Sequence, residues 1–86
     1  ALLDRGYHPM TMYFPLVVHG AFLIEPTETE SKPTLDAYIA VMRELAIAAK
    51  NPENKDMFLN SPTTTPRRRL DETRAARQPI LRWKKA

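Results

Sequence analysis

The side chains best suited to chemistry concentrate in one stretch of the chain, residues 6–31. It holds both histidines, His8 and His19, whose spacing matches no common metal motif, and the chain has no cysteine. We therefore predict no metal centre. His19 stands in a predicted turn, where a structural role is expected. His8, in an extended connector between Tyr7 and Pro9, is better placed to contact a ligand.

A Thr-Glu-Thr-Glu-Ser run supplies the next candidates, Thr27 and Glu28, directly after a predicted strand. Such a run could present the backbone N–H groups of a helix start to an anion. The carboxylates of Glu25, Glu28 and Glu30 would repel it, so helix capping is the favoured interpretation for Glu30 and Ser31. Thr27 and Glu28, directly after the strand, could face a cleft.

The rest of the chain offers no complete catalytic set. There is no Ser/His/Asp arrangement, and two glycines are too few for most phosphate-binding loops. Residues 67–69, three arginines, lack the interleaved aromatic residues that stack on single-stranded bases, so nucleic acid is not an expected partner. We predict no catalytic residue within the chain.

Short strands and a turn must position these candidates. Residues 1–6 read as the last turn of a helix, with Gly6 in the left-handed conformation just past its end. Residues 11–16 form a candidate strand that could extend to Val18 before a His-Gly turn. Residues 21–25 form a second strand, expected to be buried on both faces.

Three helices are predicted after the strands. The first spans residues 32–50 behind a Ser31 cap, and its apolar stripe should lie on the preceding sheet. Asn51 caps a second helix to about residue 59, and Asp71 caps a short third helix through Arg77. The stripe residues of the first helix are Leu35, Tyr38, Ile39, Met42, Leu45, Ala46 and Ala49.

Length and charge predict a single small domain with a basic arm. The core covers about residues 7–60 and the arm covers residues 61–86. Residues 1–60 carry five basic against eight acidic residues, a net charge of −3, whereas residues 61–86 carry eight against two, a net charge of +6. The chain opens on a helix end, which suggests a fragment of a longer protein. Without a signal peptide or membrane span, a cytoplasmic location is expected.

The segment GYHPMTMYFPLVVHGAFLIEPTETESKPTLDAYI resembles the C-terminal region of glycine dehydrogenase (decarboxylating), the P-protein of the glycine cleavage system. Residues 24–36 are the most specific part, and residues 13–20 favour the second subunit of the two-subunit bacterial form. Residues 67–83 resemble the end of that subunit. Residues 61–65 depart from the family pattern, which often has a histidine there, so no role of that histidine is carried over.

The resemblance implies an α+β fold, a small antiparallel sheet with helices on one side, as the C-terminal domain of a fold type I enzyme. The cofactor would be pyridoxal 5'-phosphate, held mainly by a preceding large domain that carries the cofactor lysine. The enzyme would decarboxylate glycine and pass aminomethyl to the lipoyl group of H-protein, with P-protein subunit 1 as a further partner. This chain alone would be inactive.

In that setting the chain would form one wall of the active-site cleft. Relatives of this fold often hold the substrate carboxylate with an arginine, but residues 6–31 contain none, so that role is not assigned. The alternative hypothesis is a small non-enzymatic interaction module whose basic arm docks an acidic partner. The predicted cleft residues are Tyr7, His8, Thr11, Thr27 and Glu28.

Overall fold

The computed structural model describes residues 1–85 and has an α+β architecture. A two-stranded antiparallel sheet precedes three α-helices. One short 3₁₀ turn lies before the sheet, and a second lies between the first and second α-helices. In chain order the elements are a 3₁₀ turn at Leu3–Arg5, strand β1 (Thr11–Met12), strand β2 (Phe22–Leu23), helix α1 (Lys32–Ala49), a 3₁₀ turn at Pro52–Asn54, helix α2 (Lys55–Asn60) and helix α3 (Glu72–Arg77).

The sheet is a short hairpin, and both predicted strands were too long. Thr11 pairs with Leu23 and Met12 with Phe22. β1 ends at Met12 because the chain then turns: Pro15 cannot donate a ladder hydrogen bond, and its carbonyl accepts one from the N–H of Val18 at 3.1 Å. The predicted extension to Val18 is therefore wrong.

The expected burial of residues 21–25 on both faces is also wrong. The side chains of Phe22 and Ile24 are 54% and 46% exposed. A sheet of two strands with two residues each offers too little surface to enclose them, and no described element covers the outer face.

Helix α1 begins and ends close to the predicted positions. The Ser31 hydroxyl accepts a hydrogen bond from the N–H of Thr34 at 3.3 Å, which satisfies one of the free donors of the first turn. Pro33 sits in that turn, where its missing N–H does no harm. Leu45 is buried, whereas Ile39 is exposed. α1 packs mainly against the 3₁₀ turn at Pro52–Asn54 and not against either strand, so the prediction that its stripe lies on the sheet is wrong. Four predicted stripe residues are buried or half-buried: Leu35, Tyr38, Met42 and Leu45.

The later helices also begin at their predicted caps. The Asn51 side chain accepts from the N–H of Glu53 at 3.0 Å, and the predicted second helix is divided into a 3₁₀ turn followed by α2. The Asp71 carboxylate accepts from the N–H of Arg74 at 2.8 Å at the start of α3. Gly6 adopts the predicted left-handed conformation, with φ of 81°.

Polar contacts tie the start of the chain to the segment after α2. The Asp4 carboxylate accepts hydrogen bonds from the N–H groups of Thr63 and Thr64, at 2.7 and 2.8 Å, and from the Thr64 hydroxyl at 2.9 Å. The Arg5 guanidinium pairs with the Glu44 carboxylate on α1. Residues 63–64 are therefore held against the first turn of the chain.

A second set of contacts fixes the chain just after α2. The buried Ser61 donates its hydroxyl to the Met57 carbonyl at 2.8 Å. Arg69 folds back and donates to the carbonyls of Ser61 and Phe58, at 2.9 and 3.2 Å. Residues 61–69 thus stay close to the helical part of the domain.

No helix within residues 1–85 is long and apolar enough to cross a membrane.

Candidate functional site

An open groove of about 490 Å³ lies between the base of the hairpin and the first turns of α1. Three segments form it: the connector that leads into β1, the residues that follow β2, and the N-terminal part of α1. The first two segments lie side by side because Thr11 pairs with Leu23 in the hairpin. The lining residues are Tyr7, His8, Pro9, Met10, Thr11, Leu23, Ile24, Glu25, Pro26, Thr27, Glu30, Thr34, Leu35 and Tyr38.

Two half-buried tyrosines join the connector to α1 within this groove. The rings of Tyr7 and Tyr38 meet edge to face, with centroids 5.5 Å apart and an angle of 65° between their planes. Upstream, the N–H of Tyr7 donates to the Leu2 carbonyl at 3.1 Å. Tyr7 is therefore held by its backbone and by its ring, and the adjacent His8 is exposed.

Four of the five predicted cleft residues come together on this groove: Tyr7, His8, Thr11 and Thr27. Glu28 does not line it and lies in the turn that follows Thr27. That turn is closed by a hydrogen bond from the N–H of Glu30 to the Thr27 carbonyl at 3.1 Å. The participation of all five residues in a cleft stays a prediction.

The groove offers hydrogen-bonding groups but no fixed positive charge. It presents an imidazole, two phenols and three threonine hydroxyls, together with the carboxylates of Glu25 and Glu30. The Thr27 hydroxyl lies 2.8 Å from that of Thr29, and the Thr34 hydroxyl lies 2.9 Å from that of Ser31. This lining suits neutral or cationic ligand groups and disfavours anions, since like charges repel.

The groove residues do not fit pyridoxal 5'-phosphate on their own. Covalent attachment of that cofactor requires a lysine, and its phosphate requires cationic or N–H donors. Neither a lysine nor an arginine lines the groove, and at the start of α1 the N–H of Thr34 is already bonded to Ser31. Any cofactor beside this groove would have to be held by other parts of the protein.

Several groove residues were not predicted as site residues. Met10, Leu23 and Leu35 supply apolar walls, and Tyr38 supplies an aromatic one. The helical spacing in the sequence identifies Leu35 and Tyr38 only as part of the apolar stripe of α1. Their position in the first turns of α1, just after the candidate Thr27, was the signal that could have placed them in the groove.

The chain matches the family described as "Glycine dehydrogenase, C-terminal domain" over residues 1–63. A Caulobacter vibrioides protein named "Probable glycine dehydrogenase (decarboxylating) subunit 2" is 64% identical over 84 residues, which are 98% of this chain and 16% of that protein. Proteins of the same name from Thermosipho melanesiensis and Caldanaerobacter subterraneus are 55% and 52% identical, over 95% and 98% of this chain and 17% of each relative. The chain thus spans about a sixth of the length of these relatives. The resemblance seen in the sequence is confirmed, and the chain belongs to the glycine dehydrogenase C-terminal domain family.

Proposed function

We propose that this chain works as the C-terminal domain of a pyridoxal-phosphate-dependent glycine dehydrogenase (decarboxylating) of the glycine cleavage system. The complete enzyme would decarboxylate glycine and transfer aminomethyl to the lipoyl group of H-protein, in the cytoplasm and together with P-protein subunit 1. Family membership and 64% identity to a protein of that name support this role.

The chain's own part in that enzyme is one wall of the active-site cleft, in the C-terminal domain of a fold type I architecture. The observation that carries this proposal is the groove, where Tyr7, His8, Thr11 and Thr27 converge. Glu28 belongs to the same wall as a residue of its rim. When bound, the cofactor supplies an electron sink for the bond to be broken.

The lining of the groove limits what this wall can do. Its hydroxyl, phenol and imidazole groups can hydrogen-bond a bound molecule, and its apolar side chains exclude water from one side. With two carboxylates and no cationic side chain, it does not hold the glycine carboxylate or the cofactor phosphate. Those groups, and the cofactor lysine, belong to the rest of the enzyme, so the chain is inactive alone.

Replacing His8 with alanine in the complete enzyme tests the proposal. Measuring glycine decarboxylation with H-protein, we expect kcat/KM to fall about tenfold, the effect of one lost hydrogen bond to a bound group. His19→Ala is the matched control, because His19 is exposed and does not line the groove.

Unchanged turnover and glycine affinity in His8→Ala would remove His8 from the wall. An equal loss in both histidine variants would indicate a general effect on folding rather than on the groove. Circular dichroism of the two variants separates these outcomes from a simple failure to fold.

The alternative function is a non-enzymatic interaction module that uses the basic arm, residues 61–86. The observation that favours it is the exposure of the arm's apolar side chains, with Ile80, Leu81 and Trp83 at 80%, 92% and 83%. A surface with both positive charge and exposed apolar groups suits an acidic partner. Binding that weakens steeply with salt, and that is lost on deletion of residues 67–86, would support this module.

A further inference from the structure

Within the core, residues 7–60, the tip of the hairpin has the most exposed apolar side chains. This apolar tip comprises residues 13–18, between β1 and the His-Gly turn. Leu16 and Val17 are 87% and 92% exposed, close to the exposure of an unfolded chain. The other large apolar side chains of the tip, Tyr13, Phe14 and Val18, are each more than half exposed.

The tip also lacks charge over a long stretch. From Thr11 to Ile24 the sequence contains no aspartate, glutamate, lysine or arginine. Proteins protect exposed apolar loops and sheet edges with charged residues, and a cluster without them marks an interaction surface. The complementary surface must therefore be apolar and uncharged.

The backbone of the tip indicates that the loop has a defined shape. The N–H of Tyr13 donates to the Ala21 carbonyl at 2.8 Å, and Val18 closes a turn onto Pro15. Tyr13 has a φ of 59°, a left-handed conformation that side-chain-bearing residues keep only where surrounding structure holds them. A covering partner would supply that surrounding structure.

The solvent-accessible area of the chain indicates how large a contact with a partner must be. The chain exposes 8156 Å², whereas a self-contained monomer of this length exposes about 5200 Å². The excess, about 3000 Å², is several times the roughly 800 Å² that one partner contributes to a standard protein–protein interface. The radius of gyration, 16.4 Å, likewise exceeds the roughly 12 Å of a compact domain of this size. This excess is spread over the whole chain, including the basic arm, and its size indicates a permanent, extensive contact rather than a transient one.

We propose that the apolar tip docks into an uncharged apolar surface on the preceding part of the same polypeptide, as the anchor between this domain and the remainder of the full-length subunit. The relatives are about six times longer than the chain, so the required surface is available within one molecule. Covalent linkage gives that surface a high effective concentration. Docking of the tip does not require the glycine reaction.

Site-specific photo-crosslinking tests the docking in a full-length protein. This chain replaces the matching 84 residues of the Caulobacter vibrioides relative, and a benzophenone amino acid is placed at Val17 or, in a second variant, at Leu16. Irradiation followed by peptide mass spectrometry should yield crosslinks to residues upstream of the domain within the same polypeptide. The same probe at Glu53, an exposed polar position, is the matched control and should give at least tenfold fewer such crosslinks.

Three other crosslinking results overturn the proposal. Crosslinks between the tips of two copies would assign the surface to self-association, and crosslinks only to H-protein or subunit 1 would assign it to a separate partner. Crosslinking at Val17 and Leu16 no stronger than at Glu53 would show a tip that stays in solvent. Loss of glycine activity without loss of the crosslink would leave the docking intact, which separates its failure from that of the proposed enzyme function.

Discussion

The rings of Tyr7 and Tyr38 meet edge to face, with centroids 5.5 Å apart, and this contact joins the connector to the first turns of α1. An aromatic pair in this geometry contributes about 0.5–1.5 kcal/mol beyond the burial of its surface. The groove therefore owes part of its shape to a contact between residues on two different segments of the chain.

A double-mutant cycle on this pair should measure a coupling of about 1 kcal/mol. Tyr7→Leu and Tyr38→Leu are made singly and together, and the free energy of unfolding is measured by urea denaturation. Tyr38→Phe should retain most of the coupling, since it keeps the ring. A cycle between Tyr7 and the exposed Tyr13 is the control, with a coupling near zero.

Protonation of Asp4 should release the segment that contains Thr63 and Thr64. Hydrogen bonds, first from the backbone N–H of Thr64 and then from that of Thr63, lower the pKa of Asp4 from its ordinary 3.8 to about 2, although partial burial opposes them. Because the folded-state pKa is depressed, the contact stabilises the fold fully above pH 3.8 and loses that contribution as the pH falls toward 2.

NMR chemical shifts of the Thr63 and Thr64 amides provide the measurement. Both should titrate with a midpoint near 2, and Asp4→Asn should abolish the titration. A midpoint near 3.8 would show that the carboxylate does not accept these hydrogen bonds in solution.

Removing the cap of α1 should destabilise the domain. Ser31→Ala deletes the hydroxyl that accepts from the N–H of Thr34, and we expect a loss of about 1 kcal/mol in the free energy of unfolding. Ser31→Asp restores an acceptor and should recover most of that loss. Equal stability of the alanine and aspartate variants would mean that the cap contributes nothing measurable.

Arg69 should matter more than its neighbour Arg67. Arg69 donates hydrogen bonds to the carbonyls of Ser61 and Phe58. Removing these bonds should lower the free energy of unfolding by about 1 kcal/mol, a modest amount because the side chain is exposed. The comparison is between Arg69→Met and Arg67→Met, measured by the tryptic cleavage rate within residues 61–74. Faster cleavage only in the Arg69 variant is expected, and equal rates would contradict the anchoring role.

Thr27 and Glu28 should differ in their effects on the complete enzyme. Thr27 lines the groove, so Thr27→Val should lower kcat/KM for glycine several-fold, whereas Glu28→Gln should have a smaller effect because Glu28 does not line it. The readout is glycine decarboxylation with H-protein. A larger effect for Glu28 would place its carboxylate, rather than the Thr27 hydroxyl, against the bound molecule.

The helix starts were readable from the sequence because their causes are local. Ser31, Asn51 and Asp71 each accept a hydrogen bond from an N–H two or three residues further on, so the cap and its recipient stand together in the sequence. The left-handed Gly6 follows the same logic, since a helix end and its glycine are adjacent.

Strand lengths and the groove depended on distant partners and were only partly predictable. Apolar runs at residues 11–16 and 21–25 indicated strands, but pairing ends at Met12 because a turn at Pro15 replaces the ladder. The sequence predicts Tyr7, His8, Thr11 and Thr27 as site residues. Tyr38 lines the groove with them only because α1 packs beside the connector. No sequence pattern linked Asp4 to Thr63, which lie 59 residues apart.

The bond between Asp4 and Thr64 brings together two points that are 60 residues apart in sequence. The two ends of the intervening segment therefore lie close together in space, as the ends of inserted domains do. A circular permutant that joins these two ends through a short linker should therefore keep Asp4 and Thr64 in contact.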